Sequence, residues 1–242
     1  MVAQGSHPGT NGGVCHAMTT AWIAHGAQSS SMEQASSAFA QTIHQGMNGL
    51  IGKQAQVEAQ LNPLKAELKQ NNAEHAQALK DLQDLTPFLN KRDEGKLSPK
   101  RAAQVNTWEA ELDTRLGTIN GKIQQTKAKL VQTEMDVAAQ IGGGLPHTRT
   151  ADMQPISRSF VRDLDRATQQ PGFYALHLPP KGPGEGHVVG IQVGKDGSCK
   201  FMDPNTGEFV TKDRKGMLNV AADHISSMYM NRADHFSVDR FG

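Results

Sequence analysis

Cysteine is nearly absent: Cys15 and Cys199 are the only two in 242 residues. Two thiols cannot build a disulfide scaffold, and neither has the CxxC spacing used for zinc or redox work. An excess of charge of either sign is lacking too. Lys and Arg number 25 against 24 Asp and Glu, so a formal charge of +1 offers no basic field for nucleic acid or for an anionic membrane surface. No run approaches the roughly 20 apolar residues of a membrane-spanning helix. No basic segment followed by an apolar one opens the chain, so no secretory signal peptide is expected in it. His16, His25, His44, His75, His147, His177, His224 and His235 are scattered without a spacing such as HExxH, and no metal or cofactor is expected. The length allows one or two domains with a real core. With so few thiols, the question is whether one of them reacts.

Composition shifts twice. Residues 1–50 are rich in Gly, Ser, Ala and Thr, residues 51–141 in Gln, Ala, Leu, Lys and Glu, and residues 142–242 hold most of the proline, the short apolar runs and the tight turns. In the middle part, apolar residues recur at alternating steps of four and three. One seam runs Val57, Leu61, Leu64, Leu68, the weaker Asn71, His75 and Ala78, then Leu82, Leu85 and Leu89. A second runs Val105, Trp108, Leu112, Ile119, Ile123, Leu130 and Val137, with Arg115 and Thr126 as polar lapses. Such a/d seams predict two long antiparallel helices, separated by the aperiodic stretch from Asn90 to Leu97. Ser98-Pro99 opens the second as N-cap and first-turn proline, and Asn62-Pro63 repeats that pair inside the first, where a break or kink is expected. The hairpin reads either as a helical subdomain on the core or as a projecting coiled-coil arm that binds a partner. Gly142-Gly143-Gly144 ends it.

Beyond the arm, Ile156 to Ala167 predicts a short amphipathic helix. Strands are predicted over Gly172–Leu178, His187–Val193 and Cys199–Met202, with Lys195-Asp196-Gly197 as a hairpin turn. Glu208–Thr211 is a further candidate strand, Gly216–Met230 a further helix, and His235–Val238 a returning edge strand. Cys199 and the cluster Met217, Met228 and Met230 are expected in the core.

Gly12-Gly13-Val14-Cys15 precedes an apolar stretch that reads as a helix. A thiol at a helix N-terminus meets unsatisfied N–H groups and the positive end of the dipole, which favour the thiolate. The alternative is a small buried hydrophobe. His187 opens an apolar strand, and Asp203 ends the next. If the two strands are hairpin neighbours, the carboxylate can orient the imidazole while the other ring nitrogen faces a thiol. Otherwise His187 is an exposed strand end and Asp203 a turn former before Pro204.

Three segments together carry a resemblance: Gly13-Val14-Cys15-His16-Ala17-Met18-Thr19-Thr20-Ala21-Trp22-Ile23, Gly186-His187-Val188-Val189-Gly190-Ile191, and Phe201-Met202-Asp203-Pro204-Asn205-Thr206-Gly207-Glu208-Phe209. They resemble the YopT-type cysteine protease effectors of bacterial pathogens. The Asp-Pro-Asn-x-Gly-Glu-Phe order is the most specific of the three. The resemblance covers roughly the first 45 residues and those from about 150 onward. It implies an α+β, papain-like core with an antiparallel sheet; the long helical hairpin lies outside the resemblance and reads as an insertion in that core. Residues 1–50 and 142–242 would form the core and residues 51–141 the insertion. The separation of 172 positions from Cys15 to His187 is longer than expected for the family, and the insertion accounts for the excess. Thr19-Thr20 departs from the Leu-Ser or similar pair expected after the cysteine.

By resemblance Cys15 is the nucleophile, His187 the general base and Asp203 its orienter. The backbone N–H of Cys15 would be one oxyanion donor, with Asn11 as the candidate for a second and Gln4 as the alternative. The function implied is a toxin or effector that cleaves a host or competitor protein through an acyl-enzyme and acts in the cytosol of a target cell. The fourteen residues before Cys15 fit a shortened chain or one domain of a longer toxin. The same constellation supports a glutamine deamidase or transglutaminase, and a third reading is a non-catalytic adaptor that binds through the arm.

Overall fold

In the computed structural model the structure describes residues 14–141, 144–182 and 186–242. The chain divides into two compact units, Met1–Glu58 together with Met135–Gly242, and Ala59–Glu134. Five helices, α1 (Cys15–Gln28), α2 (Met32–Asp93), α3 (Pro99–Ile141), α4 (Phe160–Ala167) and α5 (Arg214–Tyr229), accompany six strands among the described residues. The strands are β1 (His147–Pro155), β2 (Gly172–Leu178), β3 (His187–Val193), β4 (Cys199–Asp203), β5 (Gly207–Thr211) and β6 (His235–Phe241).

In the first unit the strands form one sheet in the order β1-β6-β2-β3-β4-β5, antiparallel throughout. Successive side chains of a strand face opposite ways, so each strand feeds two cores. Val189, Ile191, Val193, Cys199 and Phe201 pack with Phe160, Leu164, Met217, Ala221 and Ile225 of α4 and α5. Val188 and Met202 turn the other way and pack with Val14, Met18, Trp22 and Ile23, joined by Phe39 and Leu50 from the start of α2. Every residue from Cys15 to Ile23 is buried, so α1 is an internal helix rather than an amphipathic one. Buried Lys200 anchors the start of α2 by donating to Met32 O at 2.9 Å and Ser36 Oγ at 2.6 Å.

Gly190 makes the α1 contact possible. A Cβ there would lie 2.7 Å from Cε3 and Cζ3 of Trp22, whose indole N–H is in turn tied to Glu208. Gly190→Ala is expected to lower stability by about 1–3 kcal/mol, the usual cost of overpacking, measured as a shift of the urea midpoint at constant slope.

Strands β2 and β3 fall where the pattern places them. The return at His235 does not: β6 is flanked by β1 and β2 and is no edge. What covers it is β1, a polar segment whose Arg149 forks onto the buried carboxylate of Asp239 at 2.8 and 3.1 Å. The helix expected from Ile156 starts at Phe160, because the residues before it belong to β1 and its turn. Met217 is fully buried as expected, but Met228 and Met230 are 49% and 43% exposed. They flank Tyr229, which takes the inward position at the end of α5 instead.

In the second unit, residue numbers that rise along α2 pair with numbers that fall along α3. Asn71 Nδ2 donates to Thr126 Oγ1 at 3.3 Å, Arg115 Nη1 to Asp81 Oδ2 at 2.8 Å, and Arg92 to Glu109. The helices are therefore antiparallel, with Ala78, Ile119 and Ile123 buried between them. The polar lapses of the two seams answer each other: Thr126 also donates to Glu67 at 2.8 Å. Pro63 does not break α2. Its exposed position leaves the freed carbonyl to water, and the non-helical dihedrals fall at Gly46 (φ −126°, ψ 16°) in the first unit.

Candidate active site

Cys15 is the first residue of α1 and is buried. Val14 at the N-cap contributes no side-chain hydrogen bond. Buried Gln54 of α2 takes that place, its Oε1 accepting from Ala17 N at 3.2 Å while its Nε2 donates to Glu58. Thr19, one turn on, donates through Oγ1 to Val188 O at 3.0 Å and pins the helix to β3 beside His187. Cys15 Sγ lies 4.0 Å from the carbonyl oxygen of Gly186, the residue before His187, and Cys15 is among the groups that act on the His187 ring. Asn11 and Gln4 lie outside the described residues.

His187 and Asp203 sit on neighbouring strands whose register pairs Gly190 with Met202. Both side chains project to the face that carries α5. His187 Nε2 meets Asp203 Oδ1 at 2.9 Å, and the imidazole stacks on Tyr229 with centroids 4.6 Å apart and planes 18° off parallel. Burial disfavours the imidazolium, but the hydrogen bonds and charges of Asp203 and Cys15 outweigh it and raise the His187 pKa to about 9.

Asp203 is fully buried, yet four donors surround its carboxylate. Oδ1 accepts from His187 and from Asn205 N at 2.8 Å; Oδ2 accepts from Tyr229 Oη at 2.7 Å and meets His224 Nε2 at 2.6 Å. Burial alone would raise its pKa; the bonds from His187, Tyr229 and Asn205 reverse that and hold it well below the usual carboxylate range. Burial and the bond to Asp203 push the Tyr229 hydroxyl above the ordinary phenol range.

The segment from Asp203 to Phe209 acquires a reason for each residue. Asp203 closes β4, Asn205 gives its N–H to that carboxylate and its amide to Tyr229 Oη at 2.9 Å, and Thr206 N closes the turn on Asp203 O at 3.0 Å. Gly207 takes φ +115°, which side chains disfavour. Glu208 holds Trp22, and Phe209 packs its ring against His224.

Two residues of this cluster escaped the sequence. His224 stood among scattered histidines and Tyr229 inside a helix with no assigned role. One signal was available: His224 falls on the same helical face as Met217, Ala221 and Ile225, at steps of three and four. A histidine on an apolar face needs a buried acceptor. Among the described residues no three His, Cys, Asp or Glu side chains are grouped to hold a metal ion.

A thiol at a helix start, an imidazole that it acts on and a buried carboxylate behind the imidazole can do acyl-transfer chemistry. The model of the Yersinia/Haemophilus virulence surface antigen peptidase family matches residues 2–239. The chain belongs to this family of YopT-type cysteine protease effectors. Among solved structures, the YopT-type chain is similar to the Pseudomonas avirulence protein AvrPphB, with a TM-score of 0.50 at 12% identity over 95% of this chain and 91% of that one. The likeness bears on the fold, an α+β papain-like core with a long helical region. A search of the curated proteins finds no match. No helix among the described residues is long and apolar enough to cross a membrane.

Proposed function

We propose that this YopT-type protease uses Cys15 as nucleophile, His187 as general acid and base and Asp203 as orienter, and that it cleaves a restricted site in a protein of a target cell, in the cytosol to which it is delivered. The observation that carries the reading is the His187 ring, 2.9 Å from Asp203 Oδ1, with a pKa raised to about 9 by Asp203 and Cys15. His187 accepts the Cys15 thiol proton as the sulfur attacks the scissile carbonyl. The N–H of Cys15 stabilises the oxyanion. His187 gives its proton to the leaving amine, then activates the water that hydrolyses the acyl-enzyme.

N-terminal proteomics of target cells expressing the wild type beside an active-site variant tests this directly. New N-termini that depend on the intact site are expected. A shift of about one mass unit on an intact chain, with no new terminus, would instead mark a glutamine deamidase.

Residues 51–141 are read as an insertion that recognises a partner while the core performs the chemistry. The unit Ala59–Glu134 has its own buried seam, whereas Gln54 serves α1. Replacing Ala59–Glu134 by a short Gly/Ser linker is therefore expected to keep the remaining unit folded and Cys15 reactive, since closure entropy grows slowly with loop length. Cleavage of the natural substrate should be lost. Circular dichroism and iodoacetamide labelling read the first two, and loss of folding would make the arm part of the core.

A further inference from the structure

Trp108 occupies a seam position of α3 that should be buried, yet it is 41% exposed. With Leu85, Phe88 and Leu112 it lines a groove of about 430 Å³ along the hairpin, room for more than one large apolar side chain. An indole left half open beside other apolar side chains is the composition of a binding hot spot rather than of a helix seam. The rim is acidic. Asp81 is neutralised by Arg115 at 2.8 Å, but Asp84 and Glu111 are exposed and have no cationic partner among the described residues. The groove thus holds two uncompensated negative charges around an aromatic face that itself attracts cations.

We propose that this groove docks a basic amphipathic segment of a partner protein, its apolar side chains beside Trp108 and its Lys or Arg residues over Asp84 and Glu111. A second copy of the chain fits poorly, because a symmetric contact would set these two carboxylates against their own images. The acidic rim likewise repels a phosphate backbone. The docking site is separate from the thiol chemistry, so it stands or falls without the triad.

The test uses the full chain and two synthetic peptides of about four helical turns. Both carry Leu at one helical face; the other positions are Lys and Ala in one, Glu and Ala in the other. Titration calorimetry should show the Lys peptide binding at least about tenfold more tightly than the Glu peptide, with the preference falling in about 0.5 M salt. W108A and the double variant D84K/E111K should each weaken binding of the Lys peptide about tenfold. The charge-matched control E74K/E94K should leave it nearly unchanged. Asp84 and Glu111 are solvent-exposed, so the double variant reads the groove even if W108A perturbs folding. Equal binding of both peptides, an equal loss in the control, or a dimer that D84K/E111K strengthens would overturn the proposal.

Discussion

Cys15→Ala is expected to remove every wild-type-dependent cleavage product while leaving the fold in place. The substitution deletes one sulfur at the start of a helix whose hold on the sheet comes from Trp22, Ile23 and the Thr19 bond to Val188. Stability should fall by about 1 kcal/mol or less. The variant also has a second signature. Cys15 is one of the groups that raise His187 towards 9, so the His187 titration, followed by NMR, should move down when the thiol is gone. Residual cleavage at the wild-type rate would end the thiol-protease reading, and an unmoved His187 would mean that the two side chains do not form a pair.

Asp203→Asn is expected to lower kcat/KM by about four orders of magnitude, the cost of the same change in a serine triad. The amide offers one oxygen to four donors, so some are left facing an NH₂ group, and stability should fall by about 1–3 kcal/mol. The pH dependence carries the sign. His187 has a raised folded pKa, so its contribution to stability is complete below about 6.5 and lost as pH rises through about 9. Asp203 has a depressed one, so its contribution is complete above the ordinary carboxylate range and lost as pH falls below it. Wild-type Tm should therefore decline at both ends, and the variant should show much flatter limbs. The alkaline limb of kcat/KM should lie near 9 in the wild type and at lower pH in the variant. An unchanged limb would show that Asp203 does not govern the imidazole.

What could be read from residues alone was the chemistry with strong local signatures. Short apolar runs bounded by turn residues placed β2 and β3, the turn at Lys195-Asp196-Gly197 paired β3 with β4, and the order of residues from Asp203 to Phe209 carried the most specific part of the family resemblance. What escaped depends on distant partners. β1 has too few apolar residues to announce itself, since its place is secured by Arg149 meeting Asp239 ninety residues away. His224 and Tyr229 gain meaning only once α5 is laid across the sheet. Pro63 misled because a proline costs a helix one bond, while burial of Leu61 and Ala78 along the same helix acts over many turns.

The match between Asn71, Thr126 and Glu67 constrains how the hairpin can vary in length. If one helix slid by a turn, Asn71 and Thr126 would be left buried against apolar neighbours without acceptors, so the two helices are locked in step. A seven-residue insertion in α2 alone beyond Asn71 would throw the pairs towards the tip out of register, whereas the same insertion in both helices would preserve every one. The arm is in this sense graduated: evolution or engineering can extend it only in matched heptads, and the reach of its tip would change in steps of about 10 Å, the rise of seven helical residues.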